Sequence, residues 1–137
     1  MYKKILLAAD GSKHSERAAE HAIHLSSENS TVDLLLVIDI SKTKTEVLDT
    51  VSTDDLNHRR RRKIANIEEQ LKEANVHYQL EIIHGDPGPA IVSHANLRDY
   101  DILVLGSRGL NQWQKMVLGS VSHKVAKRAR CPVLIVK

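Results

Sequence analysis

Apolar and polar positions alternate along this chain in blocks that predict its elements. Lys3 to Ala9 is a short apolar run ending in Asp10-Gly11-Ser12, after which Ala18, Ala19, Ala22, Ile23 and Leu25 recur at helical spacing. Strand, turn and helix follow. Asn29-Ser30 breaks that helix, and Thr31 to Ile40 holds the nearly continuous Leu34-Leu35-Leu36-Val37-Ile38, the pattern of a parallel strand covered on both faces. Ser41 to Thr53 is polar with scattered Val47, Leu48 and Val51, which predicts a flexible segment. Ser52 and Asp55 form a capping box opening a helix that runs to Asn75. On that helix Ile64, Ile67, Leu71 and Ala74 line one face, and Glu68 with Lys72 is an i,i+4 pair worth about 0.2–0.5 kcal/mol.

Val76, Tyr78, Leu80 and Ile82 then alternate as a strand. Gly85-Asp86-Pro87-Gly88-Pro89 is a turn that sets proline in the first turn of a short helix bearing Ile91, Val92 and Ala95. Asp101 to Leu105 is the next strand. A glycine loop follows, then a helix with Val121, Val125 and Ala129 that Cys131-Pro132 stops, and Val133-Leu134-Ile135-Val136 closes the series as a last strand. Strands alternating with helices imply one α/β domain over residues 1–137, a doubly wound parallel five-stranded sheet of order 3-2-1-4-5. In that order the first and fourth strands are neighbours at the switch point, so Asp10 and Gly106 face each other across one crevice beyond the strands' carboxyl ends.

The loop after the fourth strand carries the chemistry. Gly106-Ser107-Arg108-Gly109 is followed by nine residues and Gly119-Ser120. Glycines at that spacing let backbone approach a polyanion, while Ser120, Val121 and Ser122 open a helix whose free N–H groups can meet phosphate oxygens. A tight strand-to-helix turn without ligand is the alternative, as is a capping role for Asp10 before the first helix and for Ser120 and Ser122 before the last.

Composition narrows the choice. The 137 residues contain no Phe and only 3% aromatics, so the core is built of Val, Ile, Leu and Ala, and base stacking on aromatic platforms has little support. A net charge of +3 is mildly basic and does not indicate nucleic acid. The single Cys131 excludes an internal disulfide, suits packing, and points to a reducing compartment. No apolar run of about 18 residues spans a membrane, and Met1-Tyr2-Lys3-Lys4 does not open a signal peptide. A cytoplasmic protein is expected.

At the glycine loop the chain resembles the ATP-binding branch of the universal stress protein family, whose signature is a glycine, two residues, a glycine, nine residues, then glycine with Ser or Thr. Gly106, Gly109, Gly119 and Ser120 satisfy it. The likeness extends through Asp10-Gly11-Ser12, Gly85-Asp86-Pro87 and the closing Cys131 to Val136. The resemblance implies an adenine nucleotide alpha-hydrolase-like, Rossmann-like fold binding ATP, with ADP or AMP as alternatives and Mg2+ as a companion ion. It implies that Asp10 meets the adenosine, Ile38 the adenine, and Gly106, Arg108 and Gly109 the ribose and phosphates. Gly119, Ser120, Val121 and Ser122 grip the phosphates. Ala8-Ala9 stands where the family commonly has a bulkier residue and Leu105 where Met is frequent, so Ala9 and Leu105 bear on base packing and affinity. The resemblance also implies a homodimer through antiparallel contact of the last strands, Pro132 to Lys137; an edge of four apolar residues is itself prone to pairing, and a covering helix is the alternative.

Other features read as surface. Arg59 to Lys63, five cations beside His58, are assigned to a solvated helical face rather than a nucleic-acid patch, because consecutive residues spread round a helix. His21 and His24 lack a Cys or carboxylate set to complete a metal site; His14 and His84 lie near turns that could approach a nucleotide. The function expected is nucleotide-dependent binding in a stress response, occupancy ordering the loop that carries Leu110, Trp113, Met116 and Val117 and altering a surface read by protein partners. Two alternatives stand beside it. One is slow ATP hydrolysis or autophosphorylation at Ser120 or Ser122, weakened by the absence of a Gly-x4-Gly-Lys-Ser/Thr loop and of a carboxylate pair; the other is a nucleotide-independent dimeric interaction module.

Overall fold

A computed structural model describes residues 2–39, 53–108 and 119–137, with the side chains of 53–57 left aside. The elements are β1 (Lys4–Ala9), α1 (Lys13–Leu25), β2 (Thr31–Ile38), α2 (Thr53–Lys63), α3 (Ala65–Glu73), β3 (Tyr78–His84), α4 (Pro87–Asn96), β4 (Ile102–Gly106), α5 (Ser120–Arg128) and β5 (Val133–Val136). The strands form one parallel sheet in the order β3-β2-β1-β4-β5, as the alternation predicts.

The period-two pleat of buried strands splits the core in two. Ile5, Leu7 and Ala9 of β1 and Leu34, Leu36 and Ile38 of β2 meet Ala18, Ala19 and Ala22 of α1 together with Ile64, Ile67 and Leu71. Leu6, Ala8, Leu35, Leu103 and Leu105 point the other way, against Ile91 and Ala95 of α4 and Val125 of α5. The small alanine face of α1 brings that helix close over the central strands, and the alternating assignment leaves both faces of β1 dry.

Three expectations are corrected. The helix predicted to run to Asn75 is two helices, broken at Ile64, whose φ of −112° and ψ of 14° leave the helical region; Ile64 is fully buried, and the break lets it pack inward while α2 ends against the β1 turn. Ala74 is exposed instead of lining the apolar face. The run from Arg59 to Lys63 is not wholly solvated, because Arg60 is 6% exposed and Arg61 is held by Glu68. Its Nε and NH2 donate to the two oxygens of that buried carboxylate at 3.0 and 2.9 Å, and Tyr78 Oη donates a third bond at 3.0 Å. Arg61 and Tyr78 pull the Glu68 carboxyl below its ordinary value against the opposing effect of burial. The segment from Ser41 to Ser52, and with it the Ser52 end of the expected capping box, lies outside the described residues.

Candidate functional site

The carboxyl ends of β1 and β4 lie side by side, with Ala8 paired to Leu105. Beyond β1 the half-buried Asp10 accepts the Ser12 N–H on Oδ1 at 2.9 Å, and Ser12 Oγ in turn accepts the Ser15 N–H at 3.2 Å. Ser12, not Asp10, caps α1, so the Asp10 carboxylate shapes the turn that follows β1. Gly11 takes φ +87°, and a Cβ there would collide with the Lys63 carbonyl oxygen, so only glycine fits.

Gly106 is required by closeness rather than by dihedral. A Cβ on it would stand 2.7 Å from His14 Cβ and 2.9 Å from the His14 carbonyl carbon, so the end of β4 lies directly on the first turn of α1. The next residue ties three elements together. Ser107 N–H donates to the Val136 carbonyl at 2.7 Å, while its own carbonyl accepts Gly119 N–H at 2.8 Å and Ser122 Oγ at 2.8 Å. The chain thus leaves β4 and re-enters at α5 within one hydrogen bond of its departure.

Gly119 is the N-cap of α5 at φ −60° and ψ 156°, a conformation open to any residue, and no side chain caps the helix. His123 N–H is the first to reach back, to Gly119 at 2.9 Å. The amides of Ser120, Val121 and Ser122 therefore have no intrahelical acceptor, and no acidic residue stands in that turn. A helix start of this kind favours an anion. Ser120 is exposed and Val121 half-buried; the Ser122 hydroxyl is committed to the Ser107 and Gly119 carbonyls.

Ala9 and Ile38, 7% and 8% exposed, turn to the α1 face of the sheet at the strand ends, while Leu105, 3% exposed, turns to the opposite face. Arg108 is half-buried and close enough to His14 to disfavour its protonation. Of the residues singled out from sequence, Asp10, Gly106, Arg108, Gly119, Ser120, Val121 and Ser122 lie at the carboxyl ends of β1 and β4 and the start of α5. Gly109 and the loop residues Leu110, Trp113, Met116 and Val117 lie outside the described residues.

One residue of this end escaped the sequence reading. Arg60 comes in from α2 and places NH1 3.0 Å from His84 Nε2. His84 pairs in register with Ile38, and Gly85 N–H donates to the Ile38 carbonyl at 3.0 Å. A guanidinium only donates, so His84 accepts this bond at Nε2. The signal was available: Arg60 stands four residues before Ile64, on the stripe that continues to Ile67 and Leu71. His21 and His24 meet edge to face with ring centroids 6.4 Å apart, and among the described residues no group of three or more His, Cys, Asp or Glu could hold a metal ion.

Comparison with known proteins places this architecture. The model of the universal stress protein family matches residues 1–137. Universal stress protein YxiE of Bacillus subtilis is 32% identical over 153 aligned positions, covering 100% of each chain. The solved structure of MJ0577 of Methanocaldococcus jannaschii superposes with a TM-score of 0.85 at 32% identity, over 100% of this chain and 96% of that one. A universal stress protein family protein of Arabidopsis thaliana, solved with AMP bound, shares the fold with a TM-score of 0.69 at 23% identity, over 98% and 91% of the two chains.

Proposed function

The chain belongs to the universal stress protein family, and on that premise we propose that it is a cytoplasmic, homodimeric ATP-binding member that acts in the stress response by nucleotide-dependent binding to protein partners. The observation that carries the reading is the meeting of three separate features at the carboxyl ends of β1 and β4: the Asp10 turn, the glycine end of β4 and the uncapped start of α5. Each is ordinary alone. Together they offer a polar group for a ribose, backbone without side chains for close approach, and N–H groups for phosphates.

In this reading Ala9 and Ile38 from one face of the sheet end and Leu105 from the other border the base, Asp10 takes the ribose hydroxyls, and Gly106, Arg108 and Gly109 the ribose and phosphates. The amides of Ser120, Val121 and Ser122 hold the phosphate chain beside Gly119, which has no side chain to obstruct it, and Mg2+ arrives with it. The small side chain of Ala9 favours a bulky, flat base such as adenine. A protein of the same fold bound to AMP supports that class of ligand. The homodimer reading rests on β5, an edge strand: Pro132 and Val136 turn their carbonyls to β4, so by the period of two Val133 and Ile135 turn theirs outward.

The test is mass spectrometry of nucleotide released on denaturing gently purified protein, beside a Gly119→Val control. Adenine nucleotide near one per chain, absent from the control, is the expected result. Wild-type protein that neither retains adenine nucleotide nor takes up added ATP would overturn the reading and favour a nucleotide-independent interaction module.

A further inference from the structure

His14 stands in the first turn of α1, with its Cβ and carbonyl carbon lying against Gly106 at the end of β4. Its Nδ1 lies 3.1 Å from NH2 of Arg17 and 3.4 Å from Ser107 Oγ. Because a guanidinium only donates, Nδ1 accepts, and the proton of the neutral ring sits on Nε2. Arg17 is itself anchored, its Nε donating to the Lys137 carbonyl at the end of β5 at 2.8 Å.

We propose that His14 is a proton-linked sensor of the nucleotide's phosphates: neutral in the nucleotide-free protein, it takes up a proton when a polyphosphate enters between Asp10 and the Gly106-Ser107-Arg108 strand end, and so makes affinity rise as pH falls. The proposal rests on the nucleotide-binding reading and adds to it a residue and a form of regulation. The charge balance of His14 is set from its own helix, from the end of β4 and from the β1 turn. Arg17 faces it from its own helix, Arg108 from the end of β4, and Asp10 from the β1 turn, while β5 supplies the oxygen that fixes Arg17. Burial, then Arg17, then Arg108 hold the imidazole below its ordinary value, and the single Asp10 carboxylate opposes them.

A triphosphate beside Arg108 reverses the sign of that surrounding. Its charge offsets the two guanidinium groups and favours imidazolium, whose second N–H then forms at Nδ1, where Ser107 Oγ can accept it in place of the Arg17 donor. The sign of the linkage follows. The proton is taken up on binding in the interval between the free and the nucleotide-bound pKa. Affinity is therefore highest below that interval and falls as pH rises through it. AMP, with less charge and a shorter reach, drives the change less than ATP.

The measurement is an NMR titration of the histidine Cε1–H resonances between pH 5 and 8, in the full chain, with and without saturating ATP. Among eight histidines, the His14 signal is the one missing from His14→Asn. The expected result is a free-protein midpoint below the ordinary histidine value that moves upward with ATP. ATP affinity of the wild type should rise about tenfold more than that of His14→Asn on acidification; ATP's own titration cancels in the comparison. Were His14→Asn misfolded, His14→Gln and the wild-type midpoints would still decide. ATP-induced shifts at the Gly106 and Ser120 amides with an unmoved His14 midpoint overturn this proposal and leave nucleotide binding standing. No ATP-induced shift anywhere overturns both.

Discussion

Gly106 and Gly119 belong to one signature, yet their surroundings assign them different work, and a pair of substitutions separates the two. Gly106→Ala puts a Cβ 2.7 Å from His14 Cβ and 2.9 Å from its carbonyl carbon, about 1 Å inside the contact distance of two carbons. β4 cannot retreat, since Leu105 is 3% exposed and Gly106 is paired with Val136, so the first turn of α1 must give way. Overpacking of this kind costs about 1–3 kcal/mol. For a chain of 137 residues, an unfolding entropy of about 2.1 cal/mol/K per residue makes 1 kcal/mol equal to about 3.5 °C. The expected fall in Tm is then about 3–10 °C. Gly119 at φ −60° and ψ 156° needs no backbone change to become Val, and its own Tm should fall by less. Nucleotide reverses the ranking. At a hundred times Kd a ligand that binds only the folded state adds about 2.7 kcal/mol, or about 9 °C, a gain that Gly119→Val should lose almost entirely. Calorimetric melts of both variants with and without ATP read all four numbers. A Gly106→Ala protein that melts with the wild type refutes the packing argument, and a Gly119→Val protein that keeps the ATP-induced gain refutes the assignment of the α5 amides.

Glu68→Gln should cost about 1–2 kcal/mol, since the amide cannot accept both Arg61 bonds and the Tyr78 hydroxyl as the carboxylate does, and the exposed half of Arg61 discounts the charge contribution. Because the Glu68 carboxyl is lowered on folding, its contribution is present above the unfolded value and is lost as pH falls through the folded one; urea midpoints between pH 5 and 3 should fall less steeply in the variant. His94, 5% exposed, donates from Nε2 to Tyr100 Oη at 3.1 Å and faces Glu81 at 3.3 Å, while burial and then Arg98 hold it below its ordinary value against Glu81 and Asp33. Its neutral form is favoured by the fold, so stability is full above the unfolded value and declines on acidification; His94→Gln should flatten the urea midpoint between pH 7 and 5, and an unchanged slope would assign that decline elsewhere. Ile135→Pro removes an N–H that faces away from β4, and sedimentation equilibrium should show at least tenfold weaker dimerisation with the circular dichroism retained; a dimer of undiminished affinity would move the interface off β5.

The sheet order was legible because its strands are nearly unbroken apolar runs separated by helices whose stripes repeat cleanly, and right-handed crossovers then leave little freedom. The adjacency of Asp10 and Gly106 followed from that order, since they end neighbouring strands. What stayed hidden depends on partners far along the chain. No Gly or Pro marks the break at Ile64; it arises where α2 runs into the Gly11 turn, a contact of residues more than fifty apart. Arg60 and Glu68 carry charges that, on a helix read alone, belong in water; their partners His84 and Tyr78 come from β3. The capping of α1 was legible as a cluster but not to the residue, because Asp10 and Ser12 both have the chemistry and only the backbone decides that Ser12 Oγ reaches Ser15 N–H.

The two ends of the sheet treat their polar groups differently, and the contrast argues for function at one of them. At the amino ends the side chains are answered from within: Asp101 Oδ2 accepts the Lys3 and Lys4 amides at 2.8 and 2.9 Å, Ser30 Oγ donates to the Tyr2 carbonyl at 2.6 Å, and Tyr100 Oη donates to Asp33 at 2.6 Å beneath the Lys4 ammonium. Burial and Asp33 push the Tyr100 hydroxyl far up, so it stays a donor at every physiological pH. Those bonds close the sheet. At the carboxyl ends backbone is brought together without being closed: Gly106 gives up a side chain to lie on α1, the Ser107 carbonyl gathers Gly119 and Ser122, and the leading amides of α5 are left with no acceptor inside their helix. A fold that satisfies one end internally and leaves helix amides without an internal acceptor at the other supports the proposed reading of an anion that arrives from outside, in which the glycines are the positions at which a side chain would stand in its way.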